Sequence, residues 1–159
     1  MSVAFTKEGD SESVAADLPD RPISPHQNLV TAKGLAQIED ELAKARMAYS
    51  AAQTAGDVHA DRTAMARATR DLRYYGARRA NAQLVEPDLS LGTVQFGRTV
   101  TIEREDGRRQ TYAIVGEDEA DPAGGSVSYI SPLARALLGK TVGDLADING
   151  AEVEVVGIE

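Results

Sequence analysis

The 159-residue chain contains no cysteine and no tryptophan, and its aromatic side chains amount to five tyrosines and two phenylalanines. Without cysteine there is no disulfide, no thiolate metal site, no cysteine nucleophile and no iron–sulfur cluster, and the inventory suits a reducing compartment. Histidine is nearly as scarce: His26 and His59 stand alone, and a zinc site would need ligands this chain hardly offers. No run of about 18 apolar residues occurs, and the first 27 residues hold no apolar stretch with basic flanks. The expectation is a soluble, cytoplasmic protein with no membrane partner and no cofactor of its own.

The net charge of -8 is unevenly distributed. Residues 1–27 carry Lys7 and Arg21 against Glu8, Asp10, Glu12, Asp17 and Asp20; residues 28–86 sum to +2 and residues 87–159 to -7. Segments of opposite sign should meet different partners. The first 27 residues mix Ser, Asp, Glu and three prolines with few large apolar groups, so they are read as a disordered acidic tail.

From Leu35 the positions Leu35, Ile38, Leu42, Ala45, Tyr49 and Ala52 recur at alternating spacings of three and four, the seam of a coiled coil, with Thr31 as N-cap. After a break at Gly56–Asp57, Met65, Ala68, Leu72 and Tyr75 repeat the spacing on a second helix predicted to run to about Val85. Residues 28–86 are therefore expected to form an antiparallel helical hairpin. Its alanine-rich seam and Gly76 promise only modest apolar burial.

Pro87 marks a boundary, and residues 87–159 read as a small α+β unit. Short strands are predicted at Thr93–Phe96, Thr99–Glu103, Gln110–Val115, Ser126–Tyr129 and Glu152–Ile158, with a hairpin turn at Asp106–Gly107. One helix interrupts them: Ser131 is its N-cap, Pro132 its first position, Leu133–Leu138 its body, and Gly139 closes it.

Three runs in this unit resemble the GreA/GreB (Gre) family of transcription elongation factors: Val94-Gln95-Phe96-Gly97, Tyr112 through Asp121, and Ile130 through Lys140. The likeness continues through Val142-Gly143-Asp144 and Glu152-Val153-Glu154-Val155, and upstream Leu29 through Leu35 resembles the start of that family's first arm. The resemblance implies a C-terminal domain with an FK506-binding-protein-like (FKBP-like) fold that docks at the rim of the RNA polymerase secondary channel, and a coiled coil that enters the channel. It places docking around Asp118, Glu119, Asp121, Ser131 and Pro132, although Ser131 is also an N-cap and acidic loops are commonly solvated turns.

The resemblance further implies that acids at the hairpin tip help hold a magnesium ion in the polymerase, which hydrolyses its own backtracked transcript; the factor has no catalytic residue of its own. Hard carboxylate oxygens suit that task. Here Asp57 begins the tip motif, but Ala60 and Asp61 stand where the family pattern has a glutamate and then an asparagine. Asp57 and Asp61 are four apart and would face one way on a helix, and two Asp at a helix start are equally ordinary caps. Both arms are about two helical turns shorter than the family pattern, which retracts the tip by roughly 11 Å.

Arg62, Arg67, Arg70, Arg73 and Arg78 fall on one half of the second helix, opposite its seam. Two readings stand side by side: a strip meeting nascent-RNA phosphates or an acidic channel wall, and a plain solvated face. The leading function is a channel-occupying regulator of polymerase with weak or no stimulation of cleavage. The alternatives are a fully active cleavage factor sharing Mg²⁺ through Asp57 and Asp61, a coiled-coil oligomerisation module, and a prolyl isomerase.

Overall fold

Thr31 starts the first helix as the sequence predicts. Its Oγ1 accepts the Gly34 N–H at 3.0 Å, taking up one of the donors that a helix start leaves without an intrahelical partner. The computed structural model describes residues 18–54 and 58–159. In chain order these form β1 (Asn28–Val30), α1 (Ala32–Thr54), α2 (Val58–Ala80), β2 (Ala82–Leu84), β3 (Thr99–Arg104), β4 (Arg109–Val115), a 3-10 turn (Pro122–Gly124), β5 (Ser126–Ser128), α3 (Pro132–Leu137), β6 (Leu145–Ile148) and β7 (Ala151–Ile158). The architecture is the expected one, a helical hairpin and an α+β unit.

The chain divides into two compact units. One comprises Gln37–Asn81 with the described residues up to His26, and the other Gln27–Ala36 with Ala82–Glu159. In the first unit the seam is buried as the spacing demands: Ile38, Leu42, Ala45 and Ala52 on α1 and Ala68 on α2. Leu35, Tyr49, Met65, Leu72 and Tyr75 are half-buried. Arg79 Nε meets Glu39 Oε1 at 2.9 Å, an ion pair between the two arms.

α2 ends at Ala80 rather than near Val85. Ala82–Leu84 instead pairs in parallel with Asn28–Val30, and the Val85 N–H donates to Val30 O at 3.0 Å. A parallel pair needs a long crossover, and here the hairpin itself supplies it. This pairing satisfies backbone groups of β1 that a longer helix would leave without partners.

In the second unit the strand order is β5-β4-β3-β7-β6. All pairs are antiparallel except β4 with β5. Alternation puts Val100, Ile102, Ile114, Val153 and Val155 on the inner face, where they pack with Ala134 and Leu137 of α3 and with Ala146 and Ile148. The hairpin turn forms at Asp106–Gly107, where Gly107 takes φ 83°. Ser131 Oγ accepts the Ala134 N–H at 3.2 Å, confirming its capping role.

The predicted strand Thr93–Phe96 is reduced to a single bridge, Thr93 to Thr141. Val94 instead pairs with the residues just after α3: Val94 N–H donates to Lys140 O at 2.8 Å, and Gly139 N–H to Val94 O at 2.9 Å. β6, absent from the sequence expectation, is a four-residue edge strand on β7.

Asp88, Asp106 and Asp144 each have a carboxyl held below the usual range. Asp144 accepts first the Thr141 N–H and then its hydroxyl, Asp106 chiefly the Arg108 N–H, and Asp88 the Ser90 hydroxyl and N–H. A depressed folded-state pKa contributes stability that is complete above the unfolded value and is lost as pH falls through the folded one. Thermal stability should therefore be flat in this respect above about pH 5 and decline below roughly pH 4. In Asp144→Asn the acid limb should be shallower in a melting series against pH; an unchanged limb would refute the assignment.

Candidate functional site

The loop between β4 and β5 carries Asp118, Glu119 and Asp121, and the start of α3 carries Ser131 as its N-cap and Pro132 as its first residue. Asp118, Asp121 and Pro132 are exposed. Ser131 is half-buried and its hydroxyl is committed to its cap. Asp121 shapes the loop: its N–H donates to Ser126 Oγ at 2.9 Å, and its carbonyl accepts the Ser126 N–H at 3.1 Å.

Glu119 points elsewhere. Its Oε2 accepts the Thr31 hydroxyl at 2.6 Å, so this carboxylate lies at the N-terminus of α1, where unpaired N–H groups and the helix dipole favour negative charge. The short distance is that of a charge-assisted bond. A Cβ on Gly34 would stand 2.5 Å from the same oxygen, so glycine leaves the space the carboxylate fills. Beside it a Cβ on Gly116 would stand 2.3 Å from Leu29 O, and the Tyr129 hydroxyl donates to Gln27 O. Residues 27–34 are thus seated on this unit through Gly116, Glu119 and Tyr129. The sequence reading had Thr31 as a cap and Glu119 as a docking acid; that the two meet, 88 positions apart, has no local signal.

On α2, Arg62, Arg67 and Arg73 are exposed and Arg70 is half-buried. Arg78 departs from the strip, being 1% exposed. It stands three positions after Tyr75, about 60° round the helix from that seam residue. Helical phase assigns a side, not what covers the end of the helix. The strip is also not bare: Arg73 Nη1 meets Asp20 Oδ1 at 3.1 Å, and Arg21 sits over the Tyr74 ring at 3.7 Å. Neither contact was anticipated from a stretch read as a tail.

Asp57 and the side chain of Asp61 lie outside the described residues. In sequence Asp57 lies between two helices of 23 residues each. Among the described residues no group of three or more His, Asp or Glu is placed to hold a metal ion, and no helix is long and apolar enough to cross a membrane.

Residues 89–159 match the family model for the C-terminal domain of transcription elongation factors GreA/GreB. Transcription elongation factor GreA of Alkalilimnicola ehrlichii is 36% identical over 149 positions, covering 82% of this chain and 94% of that protein. Since 82% of 159 residues is about 130, roughly 19 aligned positions of that protein have no counterpart here. GreA of Maricaulis maris is 47% identical over 72 residues, covering 44% of this chain and 46% of that protein. Among solved structures, GreA factor homolog 1 (Gfh1) of Thermus thermophilus aligns with a TM-score of 0.41 and 21% identity, covering 84% of this chain and 99% of that one.

Proposed function

The chain belongs to the GreA/GreB family of transcription elongation factors, and from that premise we propose that it regulates RNA polymerase by occupying the secondary channel, with weak or no stimulation of transcript cleavage. The observation that carries the reading is the pair of 23-residue helices separated by three residues in sequence, a probe of about 34 Å at helical rise. A cytoplasmic protein acting this way needs no catalytic residue. The exposed Asp118, Asp121 and Pro132 form the docking face on the polymerase, while Arg62, Arg67 and Arg73 line the arm that faces RNA phosphates or an acidic wall.

Three features argue against a full cleavage factor. The aligned positions missing relative to GreA fit shortened arms. Ala60 supplies no carboxylate where the family pattern has glutamate. Asp57 and Asp61 are the tip acids that would have to reach the polymerase's magnesium, and metal–oxygen bonds of about 2 Å leave no room for a retracted tip.

Binding to core polymerase tests the docking half of the reading. Reversing two exposed charges, Asp118→Lys with Asp121→Lys, should weaken association by about tenfold at low salt and by less as salt rises. Equal affinity of wild type and variant in a sizing or anisotropy titration would remove this loop from the interface; no binding by either would end the polymerase assignment.

A further inference from the structure

Residues 18–26 lie in the same compact unit as the arms. Pro19, Pro22 and Pro25 fix φ at every third position of this stretch, so little backbone freedom is lost when it is laid down. Two side chains between these prolines reach α2. Asp20 pairs with Arg73, and Arg21 spans Tyr74 at 3.7 Å and Tyr75 at 5.2 Å while meeting Asp71 at 3.8 Å. A carboxylate on an arginine and a planar guanidinium over an aromatic ring are the contacts that a phosphate and a base would make on the same residues.

We propose that the Asp20–Arg21 strap is an intramolecular competitor that covers part of the arginine and tyrosine face of α2 and must be displaced before single-stranded RNA binds there. The inference rests on the reading of that face as an RNA-contacting surface. The strap is built to release: the Arg73–Asp20 pair is well exposed, with side chains 65% and 60% accessible, and such pairs are individually weak and screened by salt.

The test is anisotropy of a dye-labelled single-stranded RNA of about 12 nucleotides at low salt, with the full-length chain. The double variant Asp20→Ala with Arg21→Ala removes one charge of each sign, so net charge is unchanged. It should bind about three- to tenfold more tightly than wild type, the scale set by one exposed ion pair and one cation–π contact. Arg62→Ala with Arg67→Ala, beyond the strap contacts, should weaken binding of the same probe. If the second variant weakens binding but the first leaves it unchanged, the face binds RNA and the strap does not cover it, which overturns the proposal alone. If neither variant changes binding, or none of the proteins binds, the RNA reading of α2 fails and the proposal falls with it. Matching melting curves for the three proteins establish that differences arise at the surface.

Discussion

Added to a backtracked elongation complex, the protein should leave nascent-RNA cleavage within about twofold of polymerase alone while binding the complex. A misplacement of about 1 Å already costs on the order of 10²-fold in a positioned reaction, so a tip retracted by roughly 11 Å, as proposed above, would contribute nothing to metal binding. Inserting two helical turns into each arm together with Ala60→Glu should restore reach and the missing carboxylate, raising cleavage by at least about tenfold. Should the unaltered protein accelerate cleavage, and Asp57→Ala with Asp61→Ala abolish it, the retracted-tip reading is wrong and the chain is an active cleavage factor.

The second large effect is expected at Gly116. Its α-hydrogen faces the carbonyl of Leu29, and any added methyl would lie 2.3 Å from that oxygen. Both sides of this contact are backbone, so neither can swing away; β1 must move, with the hydrogen bonds that seat it. Gly116→Ala should cost about 2 kcal/mol and lower Tm by roughly 4–8 °C. Gly76→Ala provides the opposite sign, because nothing lies within 4 Å of its added Cβ, and alanine inside a helix is favoured by about 0.5–1 kcal/mol. Calorimetry on both variants distinguishes a steric seat from a general dependence on glycine; equal shifts would contradict the role given to Gly116.

What the sequence made legible was local. The three-four spacing located both arms because burial on a helix repeats with its turn, and Thr31, Ser131 and Gly107 could be assigned because caps and tight turns are chemistry between near neighbours. The three-residue strands β1 and β2 were missed because each is too short to show a period, and their pairing spans the whole hairpin. The parting of Glu119 from its acidic neighbours was invisible for the same reason, because its partner Thr31 is 88 positions away; helical phase did not show the burial of Arg78 either. Asp20 and Arg21 sat in a stretch whose composition spoke for disorder, and Asp71, Arg73, Tyr74 and Tyr75 of α2 give them something to hold.

The parallel pairing of Asn28–Val30 with Ala82–Leu84 also bears on the order in which the molecule assembles. The unit that holds the sheet is built from two separated pieces of chain, and the piece made first waits for the second. As the chain emerges, β1 has no partner until both arms have been synthesised. Folding the arms first brings the ends of that long intervening segment together and removes most of the closure entropy that a flexible loop of the same length would cost. The hairpin is then a folding template as well as a probe: local, fast helical contacts come first, and the non-local strand pairing follows on ends already held near each other.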